Sequence, residues 1–243
     1  MIAPRPWSVA VVVPARNESQ GIGSTISSIR AAARHVPIDV STRVIVVADS
    51  CTDCTEHVAV ASLAGRGEVI VAENRSVGLS RSMGVARFLA THAHPLDRTW
   101  IANTDGDTVV PITWLRDQLL LADEGVTAVA GVVELDHDGR LSGQVVDAFR
   151  RRYAGGIRGT THQHVHGANL GVRADAYLDV GGWAALETAE DHDLWARLRA
   201  RGWPTRSSCS LVVTTSARRT GNAPDGFATG LQQLHDELAR ETA

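Results

Sequence analysis

The chain has 243 residues, 44% of them hydrophobic and 21% charged, with a formal net charge of −3 at pH 7. That length supports one substantial core, so a single domain over residues 1–243 is expected. The near-neutral balance and the scatter of arginines give no basic stripe of the kind that tracks a phosphate backbone, which argues against nucleic acid as a partner. All 24 basic residues are arginines, so a phosphate-loop lysine, a Schiff-base lysine and a lysine general base are excluded.

The first apolar run, "SVAVVVP" at 8–14, reads as a buried strand. It is too short to span a bilayer and no leader cleavage site follows it, so a soluble protein is expected. Helical spacing follows in "GSTISSIRAAARHV" (23–36), with Ser24 or Thr25 as its cap. Gly21 and Gly23 start a partial dinucleotide fingerprint, but its third glycine is missing, so they read as a loop into that helix. Next come a strand at 42–49 ("TRVIVVAD"), a helix at 54–65, a strand at 68–73 ("EVIVAE"), a helix at 80–93 and a strand at 99–105 ("TWIANTD"). Near-continuous apolar strands alternating with amphipathic helices predict a doubly wound α/β unit, a mostly parallel sheet with helices on both faces. Right-handed crossovers would bring the loops after each strand to one rim, where ligands of such sheets bind. Those loops are "PARNES", "DSCTD", "NRSVG" and "DGD".

Beyond them, "PITWLRDQLLLADEG" predicts a helix with Pro111 near its start, and 126–135 a further strand. Residues 136–166 are less regular, with an amphipathic stretch at 145–156. A strand at 210–216 and a helix at 226–241 close the chain.

Asp105 and Asp107, at i and i+2 in a strand-end loop, can hold a hard divalent cation while leaving positions for phosphate oxygens. The same tripeptide is also a common polar turn. His162, His164 and His166 alternate, which on a strand would put all three on one face, either as a metal site or as a polar face. Glu187, Glu190, Asp191 and Asp193 crowd before a helix. Some of them suit its dipole, and four exceed that need, which points to a general base in a closed pocket. Cys51 and Cys54 form a C-x-x-C without a second pair. With Cys209 they make an odd count, which favours a strand-to-helix loop in a reduced, cytoplasmic setting over a redox or metal motif.

Five segments taken in order resemble the nucleotide-sugar glycosyltransferases of the GT-A fold, in particular family 2. They are "VVVPARNES" (11–19), "VVADSCTDCT" (46–55), "NRSVGLSRSMGV" (74–85), "NTDGDTVVPITWL" (103–115), and "GANLGVRADAYLDVGGW" followed by "EDHDLWARL". The resemblance covers most of the chain to about residue 201. It implies a Rossmann-like GT-A fold with a nucleotide-binding half (1–110) and an acceptor-binding half (111–243).

It further implies that Pro14, Arg16, Glu18 and Asp49 hold the nucleoside, with Asp49 accepting from a base N–H, and that Arg81 faces the diphosphate. "DGD" would be the DXD motif, with Asp105 near the ribose and Asp107 on a Mg²⁺ or Mn²⁺ ion that His166 or water completes. Gly167, Ala168 and Asn169 would line the wall where donor sugar meets acceptor. The "ED" pair, Glu190 and Asp191, would supply the base, with Asp191 the leading candidate. Ala48 stands where the family places an acid, while Asp49 and Asp53 remain. Arg218 and Arg219 are candidate phosphate contacts. The implied activity is metal-dependent hexosyl transfer from a nucleotide sugar to an acceptor hydroxyl, inverting in type, with peripheral membrane contact left open. A retaining transferase, a sugar-1-phosphate nucleotidyltransferase and a silent sugar-nucleotide binding module are the alternatives.

Overall fold

The computed structural model describes residues 6–91, 94–136, 141–217 and 227–241. The chain first runs β1 (Ser8–Ala15), α1 (Ile22–Ala33), β2 (Ser41–Asp49), α2 (Thr55–Leu63), β3 (Gly67–Ala72), α3 (Val77–Thr91) and β4 (Thr99–Asn103). It continues through β5 (Thr108–Val109), α4 (Trp114–Asp123), β6 (Ala128–Leu135), α5 (Gly143–Ala154), β7 (Ile157–Arg158) and β8 (Thr161–His162). The last elements are β9 (Leu170–Arg173), α6 (Ala174–Asp179), α7 (Glu190–Ala200), β10 (Thr205–Thr215) and α8 (Phe227–Glu241).

Eight strands make one sheet in the order β3-β2-β1-β4-β9-β6-β10-β5, and β7 pairs with β8 in a separate hairpin. The pairs β1–β2, β1–β4, β2–β3 and β6–β10 are parallel. Among the described strands of the large sheet, only β9, between β4 and β6, and the two-residue edge strand β5 run antiparallel. The sheet is therefore mostly parallel, as the apolar runs predict.

Strand periodicity distributes the core. Val9, Val11 and Val13 of β1 pack on one face with Ile22 and Ile26 of α1, Leu63 of α2 and Trp114 of α4. Ala10 and Val12 face the other side, against Val85 and Phe88 of α3, Tyr177 of α6 and Leu194 of α7. Successive side chains on a strand alternate faces, so a strand covered on both must be apolar at every position. Each fully buried valine contributes about 1.5–3 kcal/mol of transfer free energy. A smaller cluster joins α5 to α8 through Val145, Val146, Leu231 and Leu234. Among the described residues, no helix is long and apolar enough to cross a membrane.

Two helix starts differ from expectation. Helix α1 opens at Ile22 with Gly21 as its N-cap and no side-chain cap. Thr25 instead sends its hydroxyl to the Gly106 carbonyl at 3.0 Å, which ties α1 to the "DGD" loop. Helix α4 starts at Trp114, whose N–H meets the Pro111 carbonyl at 3.0 Å, so Pro111 stands in the turn before the helix.

Three left-handed non-glycine residues, Asn17, Ser50 and Arg75, follow the ends of β1, β2 and β3. Positive φ carries strain for such residues, and it persists where surrounding bonds over-determine the turn.

Candidate active site

At the sheet's C-terminal rim the β1 and β2 loops are clamped together. Asn17 Oδ1 accepts from the Thr52 N–H (2.8 Å) and hydroxyl (3.2 Å). The Glu18 N–H donates to Thr55 Oγ1 (2.7 Å), and the Thr55 hydroxyl donates onward to Asp53 Oδ1 (2.5 Å). The Ser19 N–H reaches Asp53 Oδ2 at 3.1 Å. Burial pushes the Asp53 carboxyl upward, yet the bonds from Thr55 and Ser19 outweigh it and hold the group at about 2. Such bonds favour the ionised form they serve.

Asp49 departs from the reading that gave it a base N–H. Its Oδ1 accepts from the Arg75 N–H (2.9 Å) and the Ser50 hydroxyl (3.0 Å). Its Oδ2 accepts from the Ser76 N–H (3.2 Å) and the Ser80 hydroxyl (2.9 Å). A carboxylate has about four lone-pair sites, and all are in use. Burial opposes the charge, but these four donors prevail and lower the pKa. Asp49 thus organises the turn between β3 and α3. Pro14 is likewise buried within β1, and Arg16 stands half-buried at the end of that strand.

The "DGD" loop sends its two carboxylates in different directions. Asp105 turns inward to Arg81 Nη2 at 2.6 Å. Asp107 lines a cleft of about 670 Å³ with Glu18, Asp53 and Asp136. A Cβ on Gly106 would lie 2.9 Å from Glu18 Cγ and 3.2 Å from Ala15 Cβ, so close approach to β1 demands the glycine. The Thr215 hydroxyl donates to Asp107 Oδ1 at 3.4 Å, and Thr215 is brought there by antiparallel pairing with Thr108. The cleft also takes Ser24, Thr214 and Ser216, and among its described lining residues none is basic.

That donor set, carboxylates and hydroxyls, suits a hard cation such as Mg²⁺ or Mn²⁺. Among the described residues no three His, Cys, Asp or Glu side chains are grouped to hold a metal. Such a cation would therefore be held through Asp107 together with ligand oxygens, as Mg²⁺ commonly is. The trio of Asp105, Asp107 and His166 is not assembled. Asp105 is engaged by Arg81, and His166 Nε2 lies 3.0 Å from the Tyr153 hydroxyl. Burial first, against the pull of Asp191, lowers His166 to about 4, so it is neutral at pH 7.

The three alternating histidines do share a face, with ring centroids 5.8 and 5.9 Å apart. Their Nε2 atoms meet the Ala130 carbonyl, the Tyr153 carbonyl and the Tyr153 hydroxyl in turn. They form a stack on α5 and β6, and Tyr153 itself lies 3.8 Å from the His164 ring centroid. Cys51, Cys54 and Cys209 are free cysteines, and the C-x-x-C lies between β2 and α2.

Arg81, which the resemblance places before the diphosphate, is turned to two carboxylates. It is 2% exposed, donates through Nη1 to Glu190 and through Nη2 to Asp105, and lies 5.0 Å over the Trp183 ring. Burial disfavours its charge, but Asp105, Glu190 and Asp191 more than restore it and raise the pKa. A Cβ at Gly167 would fall 2.2 Å from Arg81 Nη2, so only glycine admits the guanidinium.

The crowded acids are thereby dispersed. Glu190 serves Arg81, Asp193 pairs with Arg197 at 2.6 Å, and Glu187 is exposed. Asp191, half-buried at the start of α7, accepts the Gly167 N–H on Oδ2 (2.8 Å) and the His192 N–H on Oδ1 (2.7 Å). Each of its oxygens keeps one lone-pair site, the opposite of Asp49.

Asn169 is a structural strut rather than a ligand wall. Its Nδ2 donates to the Val132 and Leu211 carbonyls, both at 2.9 Å, and its Oδ1 accepts from Trp114 Nε1 at 2.9 Å. Ala168 beside it packs into the core. Asn169→Ala should destabilise the protein by about 3–5 kcal/mol, because three buried groups lose their partner at once. Denaturant titration checks this, and a loss under about 1 kcal/mol would contradict it.

Of the residues expected at the site, the structure brings Glu18 and Asp107 to the cleft, and Arg81, Asp105, Gly167, Glu190 and Asp191 into one adjoining network. Arg218 and Arg219 lie outside the described residues. Asp136 and Thr215 escaped the sequence reading, and Ser24 entered it only as a helix cap. The apolar run at 126–135 was the available signal for Asp136, which sits one residue past the strand.

A family model described as "Glycosyltransferase like family 2" matches residues 4–235. No curated protein sequence matches the chain. Among solved structures, S. aureus TarS 1–349 in complex with UDP-GlcNAc is similar at 15% identity and a TM-score of 0.65. The match covers 90% of this chain and 61% of that one, so the chain spans about three fifths of its length. The mannosyltransferase PcManGT from Pyrobaculum calidifontis, in complex with GDP-Man and Mn²⁺, is similar at 18% identity and a TM-score of 0.66. That match covers 96% of this chain and 71% of the other. At these identities the likeness concerns the fold, which is GT-A.

Proposed function

The chain belongs to glycosyltransferase-like family 2, and from that premise we propose that it transfers a sugar from a nucleoside-diphosphate sugar to an acceptor hydroxyl, with inversion. The observation that carries the reading is the cleft beside Asp107, which is lined by four carboxylates and, among its described residues, by no basic one. A diphosphate could enter such a cleft only with a cation between it and the acids. When bound, a divalent cation held through Asp107 would neutralise the departing diphosphate. Similarity to a structure holding GDP-Man and Mn²⁺ supports the same class of donor.

The protein's own groups do the rest. Asp191 takes the acceptor's proton on a lone pair left unused by the Gly167 and His192 N–H groups. The acceptor oxygen then forms its bond to the anomeric carbon as the bond to the diphosphate breaks, so configuration inverts. Residues 1–110 contribute most of the donor side, and the acceptor is assigned to 111–243, although Asp136 and Thr215 reach back into the donor cleft. A reducing, cytoplasmic setting goes with the three free thiols.

Thermal shift against a panel of nucleoside diphosphates and their sugars, with and without Mn²⁺, tests the proposal. Ligand at 100 times its Kd should stabilise the fold by about 2.7 kcal/mol, and only with the cation present. No shift with any nucleotide, or shifts indifferent to Mn²⁺, would overturn it.

A further inference from the structure

We propose that Arg81 is a positioning residue that fixes the "DGD" loop and the catalytic base relative to each other, and that Glu190 acts through it rather than as a base. The inference rests on the transferase reading and deepens it. The bridge consists of one buried guanidinium with a carboxylate on each side, the part-exposed Asp105 from the turn after β4 and the buried Glu190 from the first residue of α7. Asp105 is two residues from Asp107, and Glu190 precedes Asp191. Both groups assigned to chemistry are therefore carried on short backbone segments whose neighbouring side chains share one cation.

Other contacts keep that cation in place. Trp183 covers one side of it and Gly167 abuts it, and the Gly167 N–H also orients Asp191. The planar fork of arginine can serve two carboxylates at fixed angles, whereas lysine offers a single point charge. A buried charge left with one partner missing reorganises its surroundings, so a change at Glu190 should be felt at the loop holding Asp105, 85 positions away in sequence by difference of their numbers. The bridge differs from a diphosphate contact in where its loss registers. It should appear in the alignment of the reacting groups, and not in nucleotide affinity.

The test compares Arg81→Lys, Glu190→Gln and the double variant, in each case measuring melting temperature, the Kd of UDP and GDP with Mn²⁺ by calorimetry, and kcat and KM for sugar-nucleotide turnover. Arg81→Lys should fold, bind the nucleotide within about threefold of wild type, and lose kcat by about 100-fold, the scale of a misplaced catalytic constellation. Glu190→Gln should lose about tenfold in kcat at unchanged nucleotide Kd. The double variant should be no slower than Arg81→Lys, because both changes break one device. Loss of nucleotide affinity in step with kcat would overturn the proposal in favour of a direct diphosphate contact. A lower melting temperature with unchanged kcat would overturn it in favour of a purely structural ion pair, and multiplicative losses in the double variant would make the two residues independent. Wild-type protein that neither binds nor turns over a sugar nucleotide would refute the transferase reading itself, an outcome visible before any variant is made.

Discussion

Asp107→Asn is expected to lower kcat/KM by about 10²–10⁴ while leaving the melting temperature close to wild type. The carboxylate lines the cleft rather than the core, and its Oδ1 accepts the 3.4 Å bond from the Thr215 hydroxyl. An amide there keeps an acceptor for that hydroxyl but removes the charge that a divalent cation requires. The loss should match what chelation by EDTA does to the wild-type enzyme, and the two should not add, because they remove the same interaction. Asp105→Asn should behave differently. It withdraws one of the two carboxylates on Arg81, so its effect should fall on kcat and stability more than on nucleotide affinity. Steady-state kinetics with a Mn²⁺ titration separates the cases: full turnover in EDTA, or an active Asp107→Asn protein, would remove the cation from the reaction.

The difference between the two aspartates marks how far the sequence could be read. The strands were legible because burial on both faces writes itself into consecutive β-branched residues, and the rim followed from the handedness of crossovers. The location of "DGD" was therefore available, but the direction of each side chain was not. Asp105 turns inward because Arg81, 24 positions earlier, is buried there and is held from the far side by Glu190, 109 positions further on.

Asn169 was misread for a related reason. A primary amide suits a sugar hydroxyl and a backbone carbonyl equally, and the choice is made by Gly131, where a Cβ would stand 2.1 Å from Asn169 Nδ2. The alternating histidines did announce a common face, and the partner that turned them from a metal site into a stack was Tyr153, contributed by a helix whose docking no local pattern specifies. Thr215 was the least accessible, since it enters the cleft through pairing of β10 with a two-residue strand 107 positions away.

The acid cluster shows the same division between what spacing permits and what contacts decide, and it leads to the base. Of its four members Asp191 is oriented by backbone N–H groups and is not spent on a guanidinium, and those two N–H groups occupy one lone pair on each of its oxygens, which leaves capacity on both. Asp191→Asn should reduce kcat by about 10²–10⁴, the usual penalty for removing a general base, while nucleotide affinity stays nearly unchanged. The amide is close in shape, but only its oxygen can accept, so it retains at most one of the two backbone bonds and has no basic oxygen to take a proton. Asp193→Asn should do less, since that residue spends its carboxylate on Arg197 within the same helix. The measurement is kcat with saturating donor, paired with calorimetric nucleotide binding and the anomeric configuration of the product. Near-normal kcat in Asp191→Asn together with a dead Asp193→Asn would move the role to that neighbour. A product that keeps the donor's configuration would rule out single displacement, because a base that only deprotonates the acceptor can deliver it to one face of the anomeric carbon alone.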